Sequence, residues 1–127
     1  MLIVDDHDLN RELIRSLLER KGYRVLQADN AEAGIEIARR ERPSLILLDL
    51  AMPGKDGFQA AREMKADSAL ATTPLVAVTA LAMRGDEERA RKAGFDGYVI
   101  KPVDRRVLEE TIENLLKGKP APTSFPA

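Results

Sequence analysis

Short apolar runs alternate with longer stretches in which apolar residues recur every three or four positions. Residues 1–4 are apolar, stop at Asp5 and Asp6, and read as a short strand. Residues 9–21 have helical spacing, with Leu9, Leu13, Ile14, Leu17 and Leu18 expected on one face, and Gly22 is placed to end the helix. Residues 23–28 predict a second strand, and Asn30 a cap for a helix through Ile35 and Ala38 to Arg40. Past Pro43, residues 45–48 are apolar throughout, as befits a strand covered on both faces, and stop at Asp49. A long loop, 51–57, holds Pro53, Gly54 and Gly57 and leads into a helix carrying Phe58, Ala61 and Met64. Residues 75–78 predict a strand that stops at Thr79. Residues 86–93 predict a helix with acidic residues first, basic residues later and Gly94 just beyond, an order that complements the helix dipole. Residues 97–100 predict a fifth strand, which stops at Lys101-Pro102. Leu108, Ile112, Leu115 and Leu116 mark a last helix. Residues 117–127 hold three prolines and little apolar content, so the expected organisation is one domain over 1–117 and a flexible tail or linker stub over 118–127.

Strands alternating with helices imply a parallel α/β sheet with helices on both faces. Ligands of such sheets bind beyond the carboxyl ends of the strands, and here those ends carry Asp5, Asp6, Asp49, Thr79 and Lys101. If the first and third strands are neighbours, three carboxylates converge. Two like charges ~4 Å apart repel by about 4 kcal/mol at an effective dielectric of ~20, so the cluster needs a proton or a cation. Magnesium fits, because it takes oxygen ligands, accepts one or two carboxylates and keeps waters. With no Cys and a single His, zinc is disfavoured. An aspartate can also cap a helix or close a turn, and Asp5 or Asp8 alone would read that way; three strand ends together do not. Thr79 could bond a phosphoryl oxygen, and Lys101 could pair with Asp49 or with a phosphoryl group. Pro102 biases Lys101 to an extended conformation, and a cis bond between them is open to the chain. Tyr98 is expected to be partly buried with a wet hydroxyl and able to swing. His7 is expected as a polar residue at the first helix start rather than as a tuning group.

The chain of 127 residues is the size of one domain, and its 44% apolar content suffices for a core. A net charge of -1 argues against nucleic-acid binding. No apolar run approaches a membrane span, and Asp5 and Asp6 break the first run too early for a signal-peptide core. These features predict a soluble cytoplasmic domain.

Taken in order, Ile3-Val4-Asp5-Asp6, Leu47-Leu48-Asp49-Leu50-Ala51-Met52-Pro53-Gly54, Asp56-Gly57, Val78-Thr79-Ala80 and Lys101-Pro102 resemble the receiver domain of bacterial two-component response regulators, from Leu2 to Leu116. Residues 79–89 look especially like the single-domain members of that family. The resemblance implies a flavodoxin-like fold with strand order 2-1-3-4-5. It implies that Asp49 is the phosphoacceptor, and that Asp6, Asp49 and the Ala51 carbonyl bind magnesium directly, with Asp5 acting through water. Thr79 and Lys101 would hold phosphoryl oxygens, and Thr79 and Tyr98 would switch together. The donor would be a sensor histidine kinase, a histidine phosphotransfer protein or a small phosphodonor such as acetyl phosphate. Output would go to a downstream protein through the fourth helix, fifth strand and fifth helix, roughly residues 86–116. The domain would act as a monomer or weak homodimer, catalyse only its own phosphorylation and dephosphorylation, and turn over no external substrate.

Two departures from the family pattern stand out. The first strand has only four residues before Asp5, which suggests missing start residues or an excised fragment. Ala51 offers no polar side chain two positions after the acceptor. Alternatives are a receiver excised from a hybrid histidine kinase or larger regulator, and a receiver that binds partners without phosphorylation, although the latter predicts a damaged acidic site. A flavin-binding domain would need a Ser/Thr/Gly-rich loop after the first strand, where this chain is acidic. A magnesium-dependent phosphatase would need a substrate-recognition segment.

Overall fold

A computed structural model describes residues 1–80 and 85–118. In chain order the elements are β1 (Leu2–Val4), α1 (Asp8–Arg20), β2 (Leu26–Ala28), α2 (Ala31–Glu41), β3 (Ile46–Leu48), α3 (Gly57–Ala66), β4 (Leu75–Thr79), α4 (Asp86–Ala93), β5 (Gly97–Ile100) and α5 (Arg105–Leu116). The five strands form one sheet in the order β2-β1-β3-β4-β5, and every pairing is parallel. This is the doubly wound arrangement expected. The tail expected over 118–127 lies outside the described residues beyond Gly118, as do residues 81–84 of the 79–89 stretch.

Strand side chains alternate between faces, and the core divides accordingly. Leu2, Val4, Ile46, Leu48, Leu75, Ala77 and Tyr98 pack with α2, α3 and α4 through residues such as Ile35, Ala38, Phe58, Ala61, Met64 and Ala90. Ile3, Leu45, Leu47, Val76, Val78 and Val99 pack on the other side with Ile14 and Leu18 of α1 and Leu108 and Ile112 of α5. Both faces of the central strands are therefore dry, which explains why their sequences are apolar without a break. Burying each Leu or Ile side chain contributes about 1.5–3 kcal/mol.

The helix boundaries follow side-chain caps. Asn30 accepts from the Ala33 N–H at 2.8 Å, as expected. Asp56 and Gln59 close a reciprocal capping box at the start of α3. Asp104 accepts from the N–H groups of Arg106 and Val107.

Two expectations need correction. The second strand is limited to Leu26–Ala28, because the Tyr23 N–H is taken by the Leu18 carbonyl as α1 closes and the Arg24 carbonyl accepts from the Met1 amine. The apolar residues of α1 do not share one face. Ile14 and Leu18 are buried, whereas Leu13 is 50% and Leu9 86% exposed. At about 100° per residue, Leu9 lies about 140° around the helix from Ile14, so a core contact for one turns the other to solvent.

Candidate functional site

The register brings the acidic residues together. Val4 of β1 is paired with Leu48 of β3, and Leu48 with Ala77 of β4. Each of the first two strands ends one residue before an aspartate, so Asp5 and Asp49 emerge side by side. The backbone confirms the alignment: the Asp49 N–H donates to the Val4 carbonyl at 2.9 Å, and the Asp5 N–H to the Ala28 carbonyl at 3.1 Å.

Asp5 and Asp49 are both nearly sealed from solvent, at 2% and 3% exposed. Burying two carboxylates costs heavily unless a cation stands between them. Lys101 supplies one. Its ammonium donates to Asp5 Oδ2 at 2.8 Å and to Asp49 Oδ2 at 3.2 Å. The lysine is delivered by β5: its own N–H donates to the Thr79 carbonyl at 2.8 Å, and the Lys101-Pro102 bond is cis. The expected pairing of Lys101 with Asp49 is present, and Lys101 bridges to Asp5 as well, because the two carboxylates are neighbours in the register.

Protonation reflects the same competition. Burial holds the Asp49 carboxyl above the usual carboxylate range; the Ala51 N–H, which donates to Asp49 Oδ1 at 3.1 Å, and the Lys101 charge oppose this, while the Asp5 charge adds to it. Burial also pushes the Lys101 ammonium down, but the hydrogen bond to Asp5 and the Asp49 and Asp5 charges outweigh it and the net direction is up.

Asp6 is the more open member of the acidic pair, yet its Oδ1 is buried and makes no hydrogen bond. His7 stands at the start of α1, as expected, as its N-cap, but its side chain makes no capping bond. Instead Nδ1 lies 3.3 Å from Asp5 Oδ1, 3.2 Å from Asp6 Oδ1 and 3.9 Å from Asp49 Oδ2. The contact with Asp6 lacks hydrogen-bond geometry, so the oxygen stays unsatisfied. Ligand atoms from Asp5, Asp6, His7 and Asp49 all lie within 4.8 Å of one another. Hard oxygen donors, one of them buried without a partner, suit a divalent cation that prefers oxygen.

Thr79 ends β4 and is fully buried. Tyr98 was expected to be partly exposed, but it too is fully buried, among the residues packed against α2, α3 and α4. Burial first, then the Asp86 and Glu87 charges, push its hydroxyl up to about 12. The strand's alternation accounts for this: Tyr98 points to the α3–α4 side and Val99 to the α1–α5 side.

Gly57 belongs to the Asp56-Gly57 pair, and nothing in the sequence pattern gives it a role. A Cβ there would sit 2.3 Å from the Asp49 carbonyl oxygen and 2.7 Å from Leu50 Cα. The Gly57 N–H donates to the Leu50 carbonyl at 3.1 Å. The first turn of α3 therefore lies directly on the backbone that presents Asp49, and only glycine permits that approach. The capping box Asp56–Gln59 just ahead of an apolar run was the legible signal for where α3 begins; the contact behind it was not legible.

Comparison with known proteins agrees with this geometry. The family model described as response regulator receiver domain matches residues 1–113. The chain is 40% identical over 116 residues to the polar-differentiation response regulator DivK of Brucella anthropi, covering 91% of this chain and 94% of that protein. It is similar in structure to the receiver domain of a sensor histidine kinase from Pseudomonas aeruginosa, solved with a magnesium ion coordinated in the active-site cleft, with a TM-score of 0.85 at 33% identity and coverage of 91% and 95%. The chemotaxis protein CheY4 of Vibrio cholerae superposes with a TM-score of 0.83 at 25% identity, covering 88% and 93%. A clustered, lysine-bridged set of carboxylates at the carboxyl edge of a 2-1-3-4-5 sheet, together with these likenesses, assigns the chain to the response regulator receiver domain family.

Proposed function

We propose that Asp49 accepts a phosphoryl group from a phosphohistidine on a sensor histidine kinase or a histidine phosphotransfer protein, and that the aspartyl phosphate switches the domain's affinity for a downstream protein in the cytoplasm. The observation that carries this reading is the buried Asp5–Lys101–Asp49 bridge beside the unsatisfied Asp6 oxygen. Magnesium would be held by Asp6, Asp49 and the Ala51 carbonyl, with Asp5 acting through water. When bound, it offsets the negative charge that gathers as a phosphoryl group nears three carboxylates.

The protein's own groups do the rest. The Ala51 N–H fixes Asp49 Oδ1 and leaves Oδ2 as the nucleophile. That oxygen attacks phosphorus in line; the new O–P bond forms as the N–P bond to the donor imidazole breaks, and the imidazole leaves with the bonding pair and takes a proton. Lys101 shifts from the carboxylates to the incoming phosphoryl oxygens, keeping its charge throughout. Thr79 moves to donate to another phosphoryl oxygen, and Tyr98 follows. The signalling face is α4, β5 and α5, where Ile100, Val107 and Leu116 are exposed. The domain works as a monomer or weak homodimer and turns over no external substrate.

The test is incubation with magnesium and acetyl phosphate, read by intact mass. The chain should gain one phosphoryl group and Asp49→Asn none. A gain that survives in Asp49→Asn would move the acceptor elsewhere. A receiver that binds partners without phosphorylation finds no support in this site, because its carboxylates, hydroxyl and ammonium are all present.

A further inference from the structure

Helical spacing puts Phe58 and Arg62 one turn apart on α3, and Arg89 and Lys92 one turn apart on α4. The two helices pack so that these four residues, with Ala93, line a groove of about 260 Å³. Its floor is apolar, since Phe58 and Ala93 are buried. Its walls carry two guanidinium groups and one ammonium.

These cations are poorly neutralised. Among the described residues, no carboxylate lies within ion-pair distance of Arg62 or Arg89, and Lys92 has only Glu88 at 3.9 Å. Two neighbouring carboxylates are shared with other cations: Glu63 pairs with Lys55, and Glu88, besides its contact with Lys92, with Arg91. Arg89 is also held in place. Its guanidinium carbon lies 4.1 Å from the centre of the Phe58 ring. A guanidinium lying on an aromatic face keeps its in-plane N–H groups free to meet an anion at the rim. Planar forks of this kind match phosphate oxygens two at a time, whereas an ammonium such as Lys92 adds a point charge. The groove is too small and too cationic for an apolar peptide and lies on a chain whose net charge is -1, so the positive field is local.

We propose that the α3–α4 groove is a binding site for a diphosphate group, clamped by Arg62, Arg89 and Lys92, and that the ligand ties α4 to α3. Inorganic pyrophosphate and a nucleoside diphosphate present the same chemistry. The site is distinct from the acidic cluster, which would repel such an anion unless a metal were bound, and it stands whether or not Asp49 is phosphorylated.

The test titrates the isotope-labelled chain, in EDTA and without divalent ions, with sodium pyrophosphate in one arm and ADP in another, following backbone amide shifts. Saturable shifts should centre on Arg62, Arg89 and Lys92, and the affinity should fall as salt rises. Arg62→Glu, an exposed position, should weaken binding by about tenfold or more, and Arg89→Lys, which keeps the charge but loses the fork, by less. Equal affinity in the two arms assigns the diphosphate alone as the ligand; tighter ADP binding assigns the nucleotide. The proposal is overturned if neither anion saturates the shifts, if the shifts centre on Asp49 and Lys101 instead, or if Arg62→Glu binds as the parent does. Phosphorylation of Arg62→Glu by acetyl phosphate should be unchanged, so loss of the groove ligand and loss of Asp49 chemistry are separately visible.

Discussion

Replacing Gly57 with alanine places a methyl group where the backbone of the acceptor segment already lies. The new Cβ would fall 2.3 Å from the Asp49 carbonyl oxygen, 2.7 Å from Leu50 Cα and 3.0 Å from the Asp49 carbonyl carbon. Every obstacle is main chain, so no side chain can rotate away. Reaching an ordinary contact requires a separation of about 1 Å between the start of α3 and the Asp49–Leu50 strand end. Overpacking of this kind costs roughly 1–3 kcal/mol of stability. The functional cost should be larger, because a displacement of about 1 Å at a reacting group is worth on the order of a hundredfold in rate. The assay is the initial rate of phosphorylation by acetyl phosphate, read by intact mass, beside a thermal melt. Gly54→Ala is the control in the same loop. That residue has φ of +77° but nothing within 4 Å of an added Cβ, so it should lose about 1 kcal/mol to backbone strain and keep most of its phosphorylation rate. If Gly57→Ala is phosphorylated as fast as the parent, the contact between α3 and the acceptor backbone does not position Asp49, and the reasoning fails.

Other expectations follow from the same geometry. Lys101→Ala leaves Asp5 and Asp49 buried beside each other without their bridge, and should destabilise the fold by about 3 kcal/mol at neutral pH; magnesium should still bind and recover part of the loss, measured by melts with and without the ion, while phosphorylation no longer triggers partner binding. Asp6→Asn removes the charge of the carboxylate whose Oδ1 is unsatisfied and should weaken magnesium binding by about tenfold or more, by isothermal titration, with little change in the metal-free melting temperature. Tyr98 in the folded chain keeps its proton up to about pH 12, whereas an unfolded tyrosine loses it near 10. The unfolded chain therefore holds fewer protons between these values, and stability falls as pH rises through the window. Relative to Tyr98→Phe, the parent should lose up to about 2 kcal/mol there, measured by denaturant titration at stepped pH; parallel curves would mean the hydroxyl is not buried.

The fold was largely legible because its strands end abruptly. Each apolar run stops at a residue with strong chemistry, and parallel strands place such stops on one edge. Asp5, Asp49 and Lys101 were therefore found together as expected, and α4 and β5 begin and end where the charge order and Gly94 suggested. What escaped was whatever depends on rotation or on distance between main-chain segments. Leu9 and Leu13 have the spacing of a buried face, but the spread of apolar positions around α1 is wider than the sheet can cover. Tyr23 and Val25 have strand propensity, yet the end of α1 claims the Tyr23 N–H first. By sequence Tyr98 reads as a half-wet aromatic, because a single tyrosine does not reveal which side of β5 it faces. The close approach at Gly57 has no side-chain pattern at all. His7 turned out to face three carboxylates, since the turn between β1 and α1 is too short to carry it away from them.

The most direct measurement locates the phosphoryl group on the chain. An acyl phosphate is reduced by borohydride to an alcohol, so an aspartyl phosphate becomes homoserine and is readable by peptide sequencing in a mass spectrometer. After treatment with acetyl phosphate and magnesium, homoserine should replace Asp49 and no other residue. Homoserine at Asp5 or Asp6, or intact aspartate at all three positions, would contradict the assignment of this buried, lysine-bridged carboxylate as the phosphoacceptor.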